Sequence, residues 1–206
     1  MPNFLFENKE RSLGARVICG VDEAGRGSWA GPVVAAATIL DYPLLPLGLL
    51  NSINDSKRLS LKKREEIYSS LVELVCYGVG ISSVSEIDQI NILQATMLAM
   101  SRAVLELKRE IDIALIDGNR SPIIPGVEAK CIVKGDEKSI SIAAASIIAK
   151  VTRDRIMVGL GKKFKEFGWE RNAGYGTSEH KDALLYFGPT PEHRKSFAPV
   201  REMLGD

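Results

Sequence analysis

Apolar residues along the 206-residue chain fall into short runs, separated by stretches with helical spacing. Val17-Ile18-Cys19-Gly20-Val21 is the first run, bounded by glycines, and reads as a strand. Residues 33–40 read as a second strand, because Pro32 blocks helix initiation and β-branched residues recur. Pro43 and Pro46 mark a surface loop. Ser60 is placed to cap a helix over about 61–74, with Ile67, Leu71 and Leu74 on one face. Residues 77–83 alternate apolar with small side chains, as a third strand would.

Ser85 is placed to cap a short turn, ahead of a longer helix over about 91–110. Its Leu93, Met97, Met100, Val104 and Leu107 follow the helical period and read as core. Residues 113–116 and 129–133 are short apolar strands. The first runs into Asp117-Gly118-Asn119 and the second into Lys134-Gly135-Asp136. A helix starts near Ser139 or Ser141, is rich in Ala and Ile through Ile148, and continues into charged turns with Lys150, Arg153, Asp154 and Arg155. The tail holds an aromatic-glycine loop, Ala173-Gly174-Tyr175-Gly176-Thr177, a short helix from Ser178, and a last segment, 191–204, with room for one more helix. Strands followed by helices and then by alternating strands and helices predict an α/β fold, a mixed sheet with helices on its faces. No repeat or linker divides the chain. A single domain over 1–206 is expected, with about 170–206 as a helical extension packed on it.

Composition changes this picture little: 45% of residues are hydrophobic and 26% charged, as in an ordinary globular protein. The N-terminus lacks the basic start and apolar stretch of a signal peptide, and no run approaches a membrane span. No membrane association and a cytoplasmic location are the expectation. Cys19, Cys76 and Cys131 are odd in number and widely spaced, which argues against a disulfide framework or a zinc site and for buried free thiols. The net charge is +1, but residues 1–128 carry −3 and residues 129–206 carry +4. That asymmetry permits a basic face opposite an acidic pocket.

The candidate chemistry lies at strand ends. Three apolar runs lead into acid: Asp22-Glu23, Asp117 and Asp136. Ligands of open α/β sheets gather at the carboxyl ends of strands. Taken singly, each acid reads as a loop or cap residue. Converging, four carboxylates would repel one another unless a cation lay among them. An all-carboxylate site suits magnesium or manganese, and two such ions can drive phosphodiester hydrolysis. Asp22 and Glu23 are neighbours, and neighbours in a regular strand face opposite ways. They can share a site only if the strand ends or bulges there.

Gly25-x-Gly27-x-x-x-Gly31 invites comparison with a dinucleotide loop, but the spacing is off by one and two acids precede it. His180 and His193 fit no zinc or serine-hydrolase pattern. His180 is expected on a solvated helix face and His193 in a terminal loop. Tyr175, flanked by glycines, is a packing residue or a platform for a sugar or base. Lys57, Lys150, Arg153 and Arg194 are candidates for phosphate contacts.

Together these segments resemble the ribonuclease HII family. The resemblance is carried by Gly20-Val21-Asp22-Glu23-Ala24-Gly25-Arg26-Gly27, Asn54-Asp55-Ser56-Lys57, Asn91-Ile92-Leu93 and Leu115-Ile116-Asp117-Gly118-Asn119. It continues through Val133-Lys134-Gly135-Asp136, Ala144-Ala145-Ser146-Ile147-Ile148-Ala149-Lys150, Gly174-Tyr175-Gly176-Thr177 and His193-Arg194-Lys195-Ser196-Phe197. It implies a ribonuclease-H-like fold. The implied activity is an endonuclease that cuts the RNA strand of RNA–DNA hybrids and nicks duplex DNA 5′ of single ribonucleotides. Carried over by residue, it implies Asp22, Glu23, Asp117 and Asp136 as catalytic ligands of two Mg2+ or Mn2+ ions. It makes Gly25, Arg26 and Gly27 a turn that reads the 2′-hydroxyl through its backbone. Tyr175 would stack on the sugar past the RNA–DNA junction, and Lys57 would contact a phosphate. A close-packed backbone can perform such a reading, since a 2′-hydroxyl both donates and accepts.

Two departures from the family pattern stand out. Asn172-Ala173 replaces a histidine-lysine pair found in many relatives, and the chain ends at Asp206 without a sliding-clamp motif, so no clamp contact is expected there. A monomer is expected. The rival readings are a non-catalytic nucleic-acid-binding module and a DNA-cutting nuclease of the same fold.

Overall fold

A computed structural model describes residues 1–41, 44–54 and 56–204. Pro43 of the predicted loop, Asp55 of the Asn54–Lys57 motif and the terminal Asp206 lie outside the described residues. Five strands form one mixed sheet: β1 (Ile18–Ala24), β2 (Val33–Ile39), β3 (Cys76–Ser82), β4 (Ile113–Asp117) and β5 (Glu128–Ile132). Their spatial order is β3-β2-β1-β4-β5. The β1–β2 and β2–β3 pairs are antiparallel, whereas β1–β4 and β4–β5 are parallel.

Alternation along β1 and β4 sends side chains to two layers. Cys19, Val21, Ala114 and Ile116 pack under α4 (Val84–Glu106), with Ala95, Ala99, Met100 and Ala103. Ile18, Ile113 and Leu115 meet Ile142 of α5 (Ile140–Lys163) on the other face. Small residues let that helix come close. A Cβ on Gly20 would lie 2.2 Å from the carbonyl carbon of Ser141, so only glycine admits the first turn of α5 over β1.

Helix α4 is two helices joined at Asn91, whose φ of 66° breaks the regular path. Asn91 Oδ1 accepts from the N–H groups of Leu93 and Gln94, so it caps the second part. A break at 91 was expected, but the first part is a full helix capped by Ser83, with Glu86 completing a capping box.

Three helices escaped the sequence pattern. One is α1 (Leu5–Ser12), whose Glu7 is buried although the helix has little apolar content. Its carboxylate accepts from Ser139 Oγ and Ser141 Oγ, both at 2.6 Å, and from Ser141 N at 3.1 Å. The acid thus caps the positive end of α5 from a distant segment. The second is α2 (Leu47–Ser52), directly after Pro46, where a loop was expected. It packs with α3 (Leu61–Leu74) and α5. The third, α6 (Trp169–Asn172), is a single turn. With α7 (Ser178–Phe187) and α8 (Ala198–Leu204) it builds a further apolar cluster of Trp169, Phe167, Met157, Leu184 and Val200.

The cysteines do not share one environment. Cys19 is buried and Cys76 half-buried, but Cys131 is exposed on the edge strand β5. No described helix is long and apolar enough to cross a membrane.

Candidate active site

Strand β1 carries Asp22 and Glu23 beyond its last pairing with β4, which ends at Val21 opposite Ile116. On the other side β1 stays in unbroken register with β2 through Glu23–Ala35 and Ala24–Val34. The strand therefore neither ends nor bulges at the two acids, contrary to expectation. They meet because β4 stops at Asp117 and leaves an open rim. Asp22 and Asp117 reach it from the face covered by α5, and Glu23 from the face covered by α4. One oxygen of each acid lies within 4.8 Å of the others.

Asp136 comes differently. It sits in a 3-10 turn, Gly135–Glu137, that begins three residues past β5, after Lys134 in the left-handed region. Only Asp117 is thus a true strand terminus. Asp136 is buried, and it does not join the 4.8 Å group. Its Oδ2 accepts from Lys57 Nζ at 3.4 Å.

Charge crowding shows in the acidities. Burial raises the Asp22 carboxyl well above the usual range, and Glu23, Asp117 and Asp136 raise it further. The Glu23 N–H, donating to Asp22 Oδ1 at 2.7 Å, opposes this. Asp117 is raised chiefly by burial as well, against an opposing hydrogen bond from Gly135 N. Glu23 Oε2 is buried with no hydrogen-bond partner. An orphaned carboxylate oxygen among crowded, oxygen-only donors fits a hard divalent cation such as Mg2+ or Mn2+.

Next to the acids lies a cleft of about 280 Å³. Glu23, Gly25, Arg26, Gly27, Lys57, Lys150 and Tyr175 line it, with Ser56 and Ser146. The two serine hydroxyls are 2.8 Å apart. Both fell inside recognised motifs, but nothing in their spacing marked them as cleft residues. A Cβ on Gly27 would lie 4.0 Å from the Tyr175 ring, so turn and tyrosine are neighbours. Arg26 reaches back to Glu23 at 3.2 Å. A smaller cleft on the α4 side, lined by Glu23, Asp117, Asn119 and Arg120, adds a cation that sequence reasoning passed over.

The loop bearing Tyr175 is held at each carbonyl. Ala173 O accepts from Arg153 Nη1, Gly174 O from Trp29 N, and Tyr175 O from His180 Nδ1. The last contact corrects the expectation for the histidines, since His180 and His193 are both fully buried. Their Nε2 atoms are 3.0 Å apart. Thr190 N donates to His193 Nδ1, so the proton of His193 sits on Nε2 and points at His180. His180 Nε2 accepts that proton and the one from Trp169 Nε1, which leaves its own on Nδ1 for Tyr175 O. Both rings are neutral in this arrangement.

Arg153 and Arg194 are also corrected. Neither can contact a phosphate, because both side chains are fully buried and donate to backbone carbonyls. Lys150 and Lys57 do face the cleft.

The family model for ribonuclease HII matches residues 19–200. Ribonuclease HII of Paramagnetospirillum magneticum is 56% identical over 188 residues, 91% of this chain and 93% of the relative. The crystal structure of ribonuclease H2 from Pyrococcus horikoshii OT3 superposes with a TM-score of 0.71 at 27% identity, covering 91% of this chain and 97% of that one. Bst-RNase HIII in complex with Mn2+ superposes with a TM-score of 0.75, covering 95% and 71%; at 21% identity it speaks for the fold alone. Sheet, acid rim and relatives define an endonuclease of the ribonuclease H type. Within that class, the chain belongs to the ribonuclease HII family.

Proposed function

We propose that this chain hydrolyses the RNA strand of RNA–DNA hybrids and cuts duplex DNA on the 5′ side of single ribonucleotides. The observation that carries the reading is the adjacency of the Asp22–Glu23–Asp117 rim to a cleft lined by Gly25, Arg26, Gly27, Lys57 and Tyr175. Sugar reading and bond cleavage then fall on consecutive residues of one strand and its turn.

Asp22, Glu23 and Asp117, joined by Asp136, would hold two divalent ions, Mg2+ or Mn2+. Such ions supply an activated water and stabilise the leaving 3′-oxygen, which yields a 5′-phosphate product. The chain's own residues bind and orient. The backbone of Gly25, Arg26 and Gly27 meets the 2′-hydroxyl, Lys57 and Lys150 meet phosphates, and Tyr175 stacks on the deoxyribose past the junction. Arg26 is half-exposed at the cleft mouth and pairs with Glu23. No side chain need act as nucleophile.

The test is cleavage of three matched duplexes by purified protein, with Mg2+ or Mn2+ and with chelator. One duplex carries a single ribonucleotide, one a continuous RNA strand, and one no ribose. Metal-dependent cutting of the first two is expected. An intact single-ribonucleotide duplex, or an all-DNA duplex cut at the same rate, refutes the reading.

A further inference from the structure

Two arginines in this fold are buried without an acid partner. Arg153 on α5 and Arg194 near the C-terminus are both fully inaccessible to solvent. Neither forms an ion pair with a described carboxylate; Asp154 and Asp88 act on them only at longer range. Burying a guanidinium is costly, and apolar side chains of similar volume often serve stability as well or better. What an apolar residue cannot supply is a planar fork of donors at fixed angles.

Each guanidinium donates through all three of its nitrogens to backbone carbonyls. Arg153 donates through Nε to Pro32 O (3.0 Å), Nη1 to Ala173 O (2.9 Å) and Nη2 to Ala30 O (3.1 Å). Arg194 donates through Nε to Gly31 O (2.9 Å), Nη1 to Arg26 O (3.0 Å) and Nη2 to Pro32 O (3.1 Å). Pro32 O is shared, so the two side chains form one strut. The strut ties the Gly25–Gly27 turn, at Arg26, to the Tyr175 loop, at Ala173. Beside it, Trp29 N and Ala30 N both donate to Gly174 O, so the strut braces a backbone junction that starts two residues past the turn.

The fit is tight at both ends. A Cβ on Gly25 would fall 1.8 Å from Arg153 Nε, so the turn rests directly on the guanidinium. The same guanidinium lies 5.8 Å from the centre of the Tyr175 ring.

We propose that Arg153 and Arg194 are positioning residues that hold the sugar-reading turn at a fixed distance from Tyr175 and thereby set the preference for an isolated ribonucleotide. This rests on the roles given above to the turn and to Tyr175. A single ribonucleotide offers one ribose followed by one deoxyribose, so both elements must engage at the correct separation. A continuous RNA strand offers a ribose at every step, and the turn alone suffices to register it. Loosening the strut therefore penalises the first substrate more than the second.

The experiment is kcat/KM on both substrates for Arg153→Lys and Arg194→Lys, each made in the wild type and in Tyr175→Ala. A lysine reaches one carbonyl where the arginine reaches three. Each lysine variant is expected to lose about 10-fold more activity on the single ribonucleotide than on the hybrid, since small misplacements are felt strongly at reacting centres. The Mn2+ concentration for half-maximal rate should stay unmoved. In the Tyr175→Ala background the extra loss should shrink to less than about 3-fold, the signature of residues acting through one another.

Equal losses on both substrates, or an undiminished extra loss without the tyrosine, overturn the proposal. If Tyr175→Ala alone leaves the preference intact, the stacking role itself is wrong, and this is seen before either arginine is touched. Should both lysine variants unfold, native-state hydrogen exchange on the wild type decides. Residues 25–32 and 173–175 must then open in one cooperative step, and separate openings overturn the proposal.

Discussion

Asp117 Oδ1 accepts a 2.6 Å hydrogen bond from the backbone N–H of Gly135. This bond joins the end of β4 to the turn that carries Asp136, and so sets where the fourth acid stands relative to the other three. The donor is main chain, which makes the link independent of any side-chain rotamer.

Asp117→Asn keeps the acceptor oxygen and removes the charge. It is expected to fold normally and to lose about 1,000-fold or more in kcat, as loss of an electrostatic element of an active site does. Asp117→Ala should lose as much activity and, in addition, about 1 kcal/mol of stability from the unmatched Gly135 N–H. Steady-state kinetics and denaturant unfolding of the two variants separate the effects. Equal stability of both variants would show that the Gly135 bond contributes nothing to the fold.

Asp22 and Asp117 have pKa values pushed up in the fold, so the unfolded chain releases their protons at lower pH than the native chain does. Without metal, the contribution of these two groups to stability is fullest below the ordinary carboxylate range and is lost as pH rises through the raised values. Asp22→Asn should abolish cleavage, leave duplex binding within about 3-fold, and raise the metal-free melting temperature at neutral pH. Added Mn2+ should raise the wild-type melting temperature, by mass action on the native state, and do so more at higher pH. A metal-free variant that melts below the wild type would contradict this.

His193 is pushed down to about 3, by burial first and by His180 second. The unfolded histidine takes a proton near pH 6.5, and the buried one does not. Its contribution is therefore complete above that pH and is lost as pH falls toward 3, in full on the order of 5 kcal/mol. His193→Asn should flatten the acid limb of the stability profile, read by thermal melts between pH 4 and pH 7. An unchanged limb would place the acid sensitivity elsewhere.

Tyr175→Ala is expected to reduce kcat/KM most at a single embedded ribonucleotide, by about 10-fold or more, in line with the loss of one stacking contact. Cleavage of matched duplexes measures it. Tyr175 is 41% exposed, so truncation should cost little stability.

Much of the site was legible because it consists of residues adjacent in sequence. Asp22, Glu23 and the glycine turn form one unbroken motif, and the apolar run 113–116 points a strand straight at Asp117. Strands, the two long helices and the family resemblance rest on the same local signals: period, cap and motif.

What sequence could not supply were properties that depend on a distant partner. His180 looked solvated because its neighbours in sequence are polar, yet Trp169 and His193 close over it. Arg153 and Arg194 carry the charge of a phosphate contact, yet their donors are taken by carbonyls about 120 and 160 residues away. Helix α1 is nearly all polar, and its place is decided by Glu7 meeting the buried end of α5. The sequence by itself determined the fold class and the acid and glycine chemistry of the site, since both follow from short-range order. Only the tertiary structure decided how Asp22 and Glu23 come to share a site. They lie on opposite faces of an unbroken strand and converge because the neighbouring strand, β4, stops at Asp117 and leaves the rim open to both.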